Sequence, residues 1–227
     1  MTSDRRPYIK ICCMQSVAEM ELAVRYGAGA VGLVSRMPSG PGPIADDLIA
    51  AIAGRVPPGI ATFLLTSERS AAVIADQVRR LGPTTVQIVD RPEAGCRAAL
   101  RRLLPALGIV QVVHVTGPEA AAAAAEAASD ADAILLDSGN PALAVKELGG
   151  TGRTHDWAVS RRIRDAVGVP VWLAGGLTPA NVARAIAEVR PFGVDVCSGV
   201  RTNGALDEAK LTAFVAAVRE ASSETAG

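Results

Sequence analysis

Two kinds of side chain in this sequence stand where they could move a proton. Tyr8-Ile9-Lys10-Ile11-Cys12-Cys13 is a short, mostly apolar run after Pro7, and Met14-Gln15-Ser16 forms a polar joint before a helical pattern. A continuous run of this length reads as a buried parallel strand. Two thiols therefore stand at the C-terminal end of the first strand. Ile134-Leu135-Leu136 runs into Asp137 in the same way. A carboxylate that closes an apolar run is costly unless it has a partner or a task. Taken singly, Cys12 reads as a small core residue and Asp137 as a cap or loop tether. As a pair at strand ends of one fold they read differently. A thiol is a base only as thiolate, so its pKa must be lowered. A carboxyl is an acid only if its pKa is raised. Two such groups over one pocket describe a proton shuttle.

Glycines complete the set. Ala174-Gly175-Gly176-Leu177 and Ser198-Gly199-Val200 each follow an apolar run. Glycine lets the backbone approach an anion, and exposed amides at a helix start donate to it. Gly175, Gly176, Ser198 and Gly199 are thus expected to hold a phosphate group, which barrel enzymes often bind between the loops after strands seven and eight.

The elements that must position these residues follow one rhythm. Strands are expected at 8–13, 30–35, 59–66, 84–89, 109–115, 131–137, 169–174 and 192–197. Helices are expected from Ser16, with Glu19 as its capping box, to Tyr26, then at 44–53, 67–81, 92–104, 119–128, 157–167, 179–189 with Thr178 as cap, and 207–220. Regular alternation implies a parallel sheet with right-handed crossovers. Eight such units in 227 residues have the dimensions of an α/β fold of the closed (β/α)8 TIM-barrel type, a single domain over 1–227. An open doubly wound sheet is the runner-up; the first turn lacks the Gly-x-Gly-x-x-Gly fingerprint that would favour it.

Composition removes other classes. With 23 basic and 23 acidic residues the chain has no net charge, which argues against nucleic acid as the main partner. No apolar run approaches the roughly 20 residues of a membrane span, and the start has no apolar signal core. Cys12, Cys13, Cys96 and Cys197 have neither zinc nor disulfide-framework spacing, which fits a reducing, cytoplasmic location. His114 and His155 are too few and too isolated for a metal site. Aromatic residues are 3% of the chain and form no visible interface anchor, so monomer and homodimer both stay open.

Across nearly its whole length the chain resembles the phosphoribosylanthranilate isomerases of tryptophan biosynthesis. The matching pieces are Lys10-Ile11-Cys12, Gly27-Ala28 with Val31-Gly32, Leu135-Leu136-Asp137-Ser138, Gly149-Gly150-Thr151-Gly152-Arg153-Thr154-His155-Asp156-Trp157, Leu173-Ala174-Gly175-Gly176-Leu177 with Pro179 and Asn181-Val182, and Val194-Asp195-Val196 with Ser198-Gly199-Val200. The long Gly-rich piece is the most specific. The resemblance implies an Amadori rearrangement of an N-linked aminoaldose 5-phosphate, without metal or organic cofactor. Asp137 would be the general acid at the furanose ring oxygen and Cys12 the general base at C2. The loops carrying Gly175, Gly176, Ser198 and Gly199 would hold the phosphate. Arg36, in the loop Arg36-Met37-Pro38-Ser39-Gly40-Pro41-Gly42-Pro43, is the candidate for the anthranilate carboxylate, with a solvated loop arginine as its other reading.

The chain departs from the family pattern in four places. In the second loop Arg36 sits earlier than the arginine of the family's Pro-Arg-type segment. Cys13 stands where the family has Gly, Val89-Asp90 where it has His-Gly, and Arg201-Thr202-Asn203-Gly204 where it has Glu and a Pro-Gly-Lys-Asp-like stretch. An isomerase or epimerase for another sugar phosphate, or a non-catalytic phosphate-binding paralogue, are the alternatives.

Overall fold

A computed structural model describes residues 6–38, 40, 42–139 and 152–224, with side chains to residue 221. Gly149, Gly150 and Thr151 of the Gly-rich piece, and Ser39 and Pro41 of the Arg36 loop, lie outside the described residues.

The order of elements is β1 (Tyr8–Ile11), α1 (Val17–Arg25), β2 (Ala30–Val34), α2 (Asp46–Ala53), β3 (Ala61–Thr66), α3 (Ala71–Leu81), β4 (Thr85–Ile88), α4 (Cys96–Leu103), β5 (Gly108–His114), α5 (Ala120–Ala128), β6 (Ala133–Asp137), α6 (Trp157–Ala166), β7 (Val171–Leu173), α7 (Val182–Val189) and β8 (Gly193–Val196). A short hairpin, β9 (Arg201–Thr202) and β10 (Ala205–Leu206), then leads to α8 (Glu208–Glu224). The first eight strands close into a parallel barrel in chain order, with β1 paired to both β2 and β8. This is the (β/α)8 barrel expected from the alternation.

Two apolar layers hold it together. The outward faces of the strands pack on the helices through residues such as Ile11, Leu33, Leu64, Ile88, Ile134 and Leu173. The inward faces form a second, smaller cluster that includes Cys12, Phe63, Val110, Leu135 and Trp172. Trp172 fills the N-terminal end of the barrel against Tyr8, Phe63 and Phe192. A Cβ on Gly193 would lie 2.5 Å from its ring, so only glycine leaves room for it.

Three helix starts differ from the sequence expectation by more than two residues. α3 begins at Ala71 rather than 67, because the Thr66 hydroxyl accepts from the Glu68 amide and holds that stretch in a local turn. α4 begins at Cys96 rather than 92, because Gly95 takes a left-handed φ of 74°, which no helix can run through. α7 begins at Val182, and Thr178 is not its cap; Asn181 instead accepts from the Thr178 amide and donates to the Gly176 carbonyl. The β9–β10 hairpin was not anticipated. Its turn is Asn203-Gly204, both at positive φ, which is the sequence signal for a two-residue hairpin loop.

Candidate active site

The C-terminal rim of the barrel collects the candidate residues. Cys12 follows β1 directly and Asp137 ends β6, and both are buried. Between them lies a charge the sequence reading passed over. Lys10 points into the barrel and donates to Asp195 of β8 at 2.7 Å, with side-chain exposures of 0% and 7%. Burial works against the Lys10 charge, but the Asp195 carboxylate and the neighbouring Cys12 and Cys13 more than reverse it, so the ammonium form is held firmly. A Cβ on Gly32 would come within 2.7 Å of Cys12 Sγ and 3.2 Å of Lys10 Nζ, so thiol and ammonium converge over that glycine. The same ammonium also acts on Asp137. Cys12 and Asp137 thus share one electrostatic neighbourhood.

Asp137 sits in surroundings that disfavour its charge. Burial pushes its carboxyl above the usual carboxylate range, and the Asp195 charge adds to that. The Ser138 amide at 2.7 Å, together with His114 and Lys10, pulls the other way without cancelling the shift. His114 is the register partner of Asp137 on β5, so the two side chains leave the sheet on the same face. Its Nε2 lies 3.0 Å from the Val89 carbonyl oxygen. A carbonyl only accepts, so Nε2 carries the hydrogen, and in the neutral ring Nδ1 is a bare acceptor. That Nδ1 is buried and has no hydrogen-bond partner. A recess of about 420 Å³ opens beside this end of β6, lined by Thr116, Ser138, Arg153 and His155 among others.

The glycine loops are built for close approach. Gly175 and Gly176 both have left-handed φ, 81° and 62°. A Cβ on Gly199 would lie 1.9 Å from the Leu177 carbonyl oxygen, so the two loops touch backbone to backbone. Asn181 fixes the first loop from below through Gly176 and Thr178. Ser198 is exposed at the start of a single 3-10 turn. Arg36 stands exposed on the loop after β2. Among the described residues no three His, Cys, Asp or Glu side chains converge as a metal-binding group.

Comparison with known proteins bears on this geometry. The family model described as N-(5'-phosphoribosyl)anthranilate isomerase matches residues 9–217. The chain belongs to the phosphoribosylanthranilate isomerase family. It is 38% identical over 209 residues to N-(5'-phosphoribosyl)anthranilate isomerase 2 of Methanosarcina mazei, covering 91% of this chain and 92% of that one. It is also 38% identical over 210 residues to the isomerase of Halobacterium salinarum, covering 92% and 94%. Among solved structures, the enzyme of Thermococcus kodakaraensis superposes with a TM-score of 0.77 at 29% identity, over 94% of this chain and 99% of that one. A phosphoribosyl anthranilate isomerase in complex with reduced 1-(o-carboxyphenylamino)-1-deoxyribulose 5-phosphate superposes with a TM-score of 0.76 at 26% identity, again over 94% and 99%.

Three departures from the family pattern have a structural counterpart. Cys13 sits at φ 62°, the left-handed region where glycine is at ease and another residue is strained by roughly 1–2 kcal/mol. Where the family has histidine just after β4, Val89 presents its carbonyl to an imidazole from the next strand, His114. Where the family has Glu after Ser-Gly-Val, Arg201 turns inward. Its Nη2 donates to the Cys13 carbonyl at 2.5 Å and the Cys12 carbonyl at 3.4 Å. Both of its terminal nitrogens grip Glu19 of α1, at 3.1 and 2.9 Å. Only half of the expected capping box forms, since the Glu19 side chain does not turn to the Ser16 amide. Its carboxylate also accepts from the Gln15 and Leu206 amides, while the Ser16 hydroxyl takes the Glu19 amide. Burial alone would raise the Glu19 pKa, but Arg201 and the two amides hold it below the usual range.

Proposed function

We propose that the protein interconverts N-(5'-phosphoribosyl)anthranilate and 1-(2-carboxyphenylamino)-1-deoxyribulose 5-phosphate, with Asp137 as general acid and Cys12 as general base. The buried carboxyl of Asp137, raised in pKa and lodged at the barrel rim, is the observation that carries the reading. Protonated, it gives its hydrogen to the furanose ring oxygen, and the C1–O bond opens to an iminium whose nitrogen keeps its hydrogen. The Cys12 thiolate then takes the hydrogen from C2. The electron pair moves into a C1–C2 double bond and neutralises the iminium nitrogen, leaving an enolamine. Loss of the C2 hydroxyl proton and gain of one at C1 give the ketone. The reaction is an isomerisation, so the proton held on Cys12 and the one lost from Asp137 balance.

The chain supplies what each step needs. The Lys10 ammonium stands beside the Cys12 sulfur over Gly32. Lys10 keeps its own charge through Asp195, so it does not compete for the transferred proton. The backbone around Gly175, Gly176, Ser198 and Gly199 receives the phosphate, and Arg36 the anthranilate carboxylate.

The test is Cys12→Ser. Turnover, followed as loss of substrate fluorescence, is expected to fall by at least 10²-fold, about the worth of a positioned base. Binding of the reduced product analogue should stay within a few-fold. A variant with near-normal kcat would remove Cys12 from the mechanism.

A further inference from the structure

Three of the four cysteines meet at one point on the rim. Cys13 Sγ and Cys197 Sγ are 2.8 Å apart, and neither is in a disulfide. That separation is well inside ordinary non-bonded contact between sulfurs. From 2.8 Å, a closing movement of roughly 0.8 Å reaches the ~2.05 Å of a covalent S–S bond. Cys13 also hydrogen-bonds Cys12. The approach is enforced rather than incidental. The left-handed backbone of Cys13 aims its side chain away from the strand direction, and the loop after β2 closes over it. A Cβ on Gly42 would come within 2.8 Å of Cys13 Cβ and 2.9 Å of its Sγ, so nothing larger than glycine fits there.

We propose that Cys13 and Cys197 are a disulfide-forming pair, a modification site that joins the end of β1 to the phosphate-loop end of β8 when a low-molecular-weight disulfide is present. The two thiols divide the work. Cys197 is partly exposed, and its hydrogen bond with Cys13, helped by the Arg201 charge, lowers its pKa. Cys13 is buried and kept protonated by hydrogen bonds to Cys12 and Cys197, with burial adding to both. Cys197 is therefore the attacking sulfur. Its thiolate displaces one thiolate from the small disulfide and forms a mixed disulfide. Cys13 then attacks the Cys197 sulfur, expels the second small thiolate and passes its proton to it. Two protein thiols and one small disulfide become one protein disulfide and two small thiols, so electrons and hydrogens balance.

Such a bridge has a consequence for turnover, which rests on the function proposed above. It consumes the hydrogen bond from Cys13 to Cys12 and ties the base's own backbone to the loop that begins at Ser198. The oxidised protein is expected to lose at least tenfold in kcat/KM and to regain it with dithiothreitol.

The test uses oxidised glutathione on the intact chain. Tryptic peptides 11–25 and 185–201 carry the two partners, and they should appear cross-linked in the wild type and in Cys12→Ser. The link should be missing in Cys13→Gly, a substitution the left-handed φ favours and which therefore folds. No cross-link, a stable glutathione adduct on Cys197, or a link that survives Cys13→Gly would overturn the pairing. This readout does not depend on the isomerase activity. Inactivation shared equally by Cys197→Ser would assign the effect to Cys12 and overturn the consequence for turnover alone.

Discussion

Asp137→Asn separates the chemistry of the acid from its structural role. Oδ1 of Asp137 accepts from the Ser138 amide at 2.7 Å, and the side chain is 8% exposed. Asparagine has the same shape and keeps an oxygen for that amide, so the loop after β6 holds its place. What disappears is the acidic proton. A general acid contributes about 10²–10⁴-fold, which corresponds to roughly 2.7–5.4 kcal/mol of barrier. The expected kcat falls by that factor, read as the rate of substrate fluorescence loss in single-turnover conditions. Stability moves the opposite way. The folded pKa of Asp137 is raised, so its contribution is complete below the unfolded pKa and is lost as pH rises through the folded value. At neutral pH the neutral amide removes that loss, and the variant should melt at or above the wild-type temperature. Asp137→Ala gives the contrast. It leaves the Ser138 amide without its partner, at a cost of about 1–3 kcal/mol. An Asp137→Asn protein with kcat within a few-fold of wild type would refute the acid assignment.

Three further outcomes follow from the same geometry. Arg36→Ala should raise KM about tenfold with little change in kcat, the worth of roughly 1.4 kcal/mol of charge-assisted contact; unchanged kinetics would return Arg36 to solvent. Arg201→Met should cost about 3–5 kcal/mol in urea unfolding because it strands the Glu19 carboxylate, whose side chain is 15% exposed, while adding Glu19→Gln should recover part of that loss. Additive losses would show that the two residues do not form a unit. His155 is half-buried against the Ser160 hydroxyl, and desolvation lowers its pKa from 6.5 to about 4. The unfolded chain therefore binds a proton that the fold refuses, and this contribution to stability is full above about pH 6.5 and is lost as pH falls toward 4. An imidazole NMR titration with a midpoint near 6.5 would contradict it.

The barrel was legible because its signal is carried by many residues at once. Each apolar run is buried on both faces, so it reads as a strand whatever its neighbours do, and eight repeats fix the closure. Helix starts were less legible because one backbone angle, at Gly95, or one hydroxyl, at Thr66, decides them against the general trend. The site divides along the same line. Cys12, Asp137 and the two Gly-bearing loops announce themselves as polar or flexible residues at the ends of apolar runs. Lys10 and Asp195 were visible as charges inside such runs, but a single charge in a strand does not say that another, 185 positions away, will meet it. His114 is harder still, since its meaning comes from the carbonyl of Val89 on the strand beside it. The departures from the family pattern are coupled in the same non-local way. A side chain at the left-handed position 13 needs a fixed turn, and Arg201 supplies it by holding the carbonyls of both cysteines from the far end of the chain. Arg201 in turn needs a buried counter-charge, which Glu19 provides. The Asn203-Gly204 hairpin lets the chain double back there; Gly204 accepts from Arg201, and Leu206 donates to Glu19. Restoring glycine at position 13 alone would therefore ease the backbone and leave the rest intact. Restoring glutamate at 201 alone would place a second carboxylate against Glu19 and take the Arg201 donor from both carbonyls, while that of Cys13 keeps the Gln15 Nε2 at 3.4 Å.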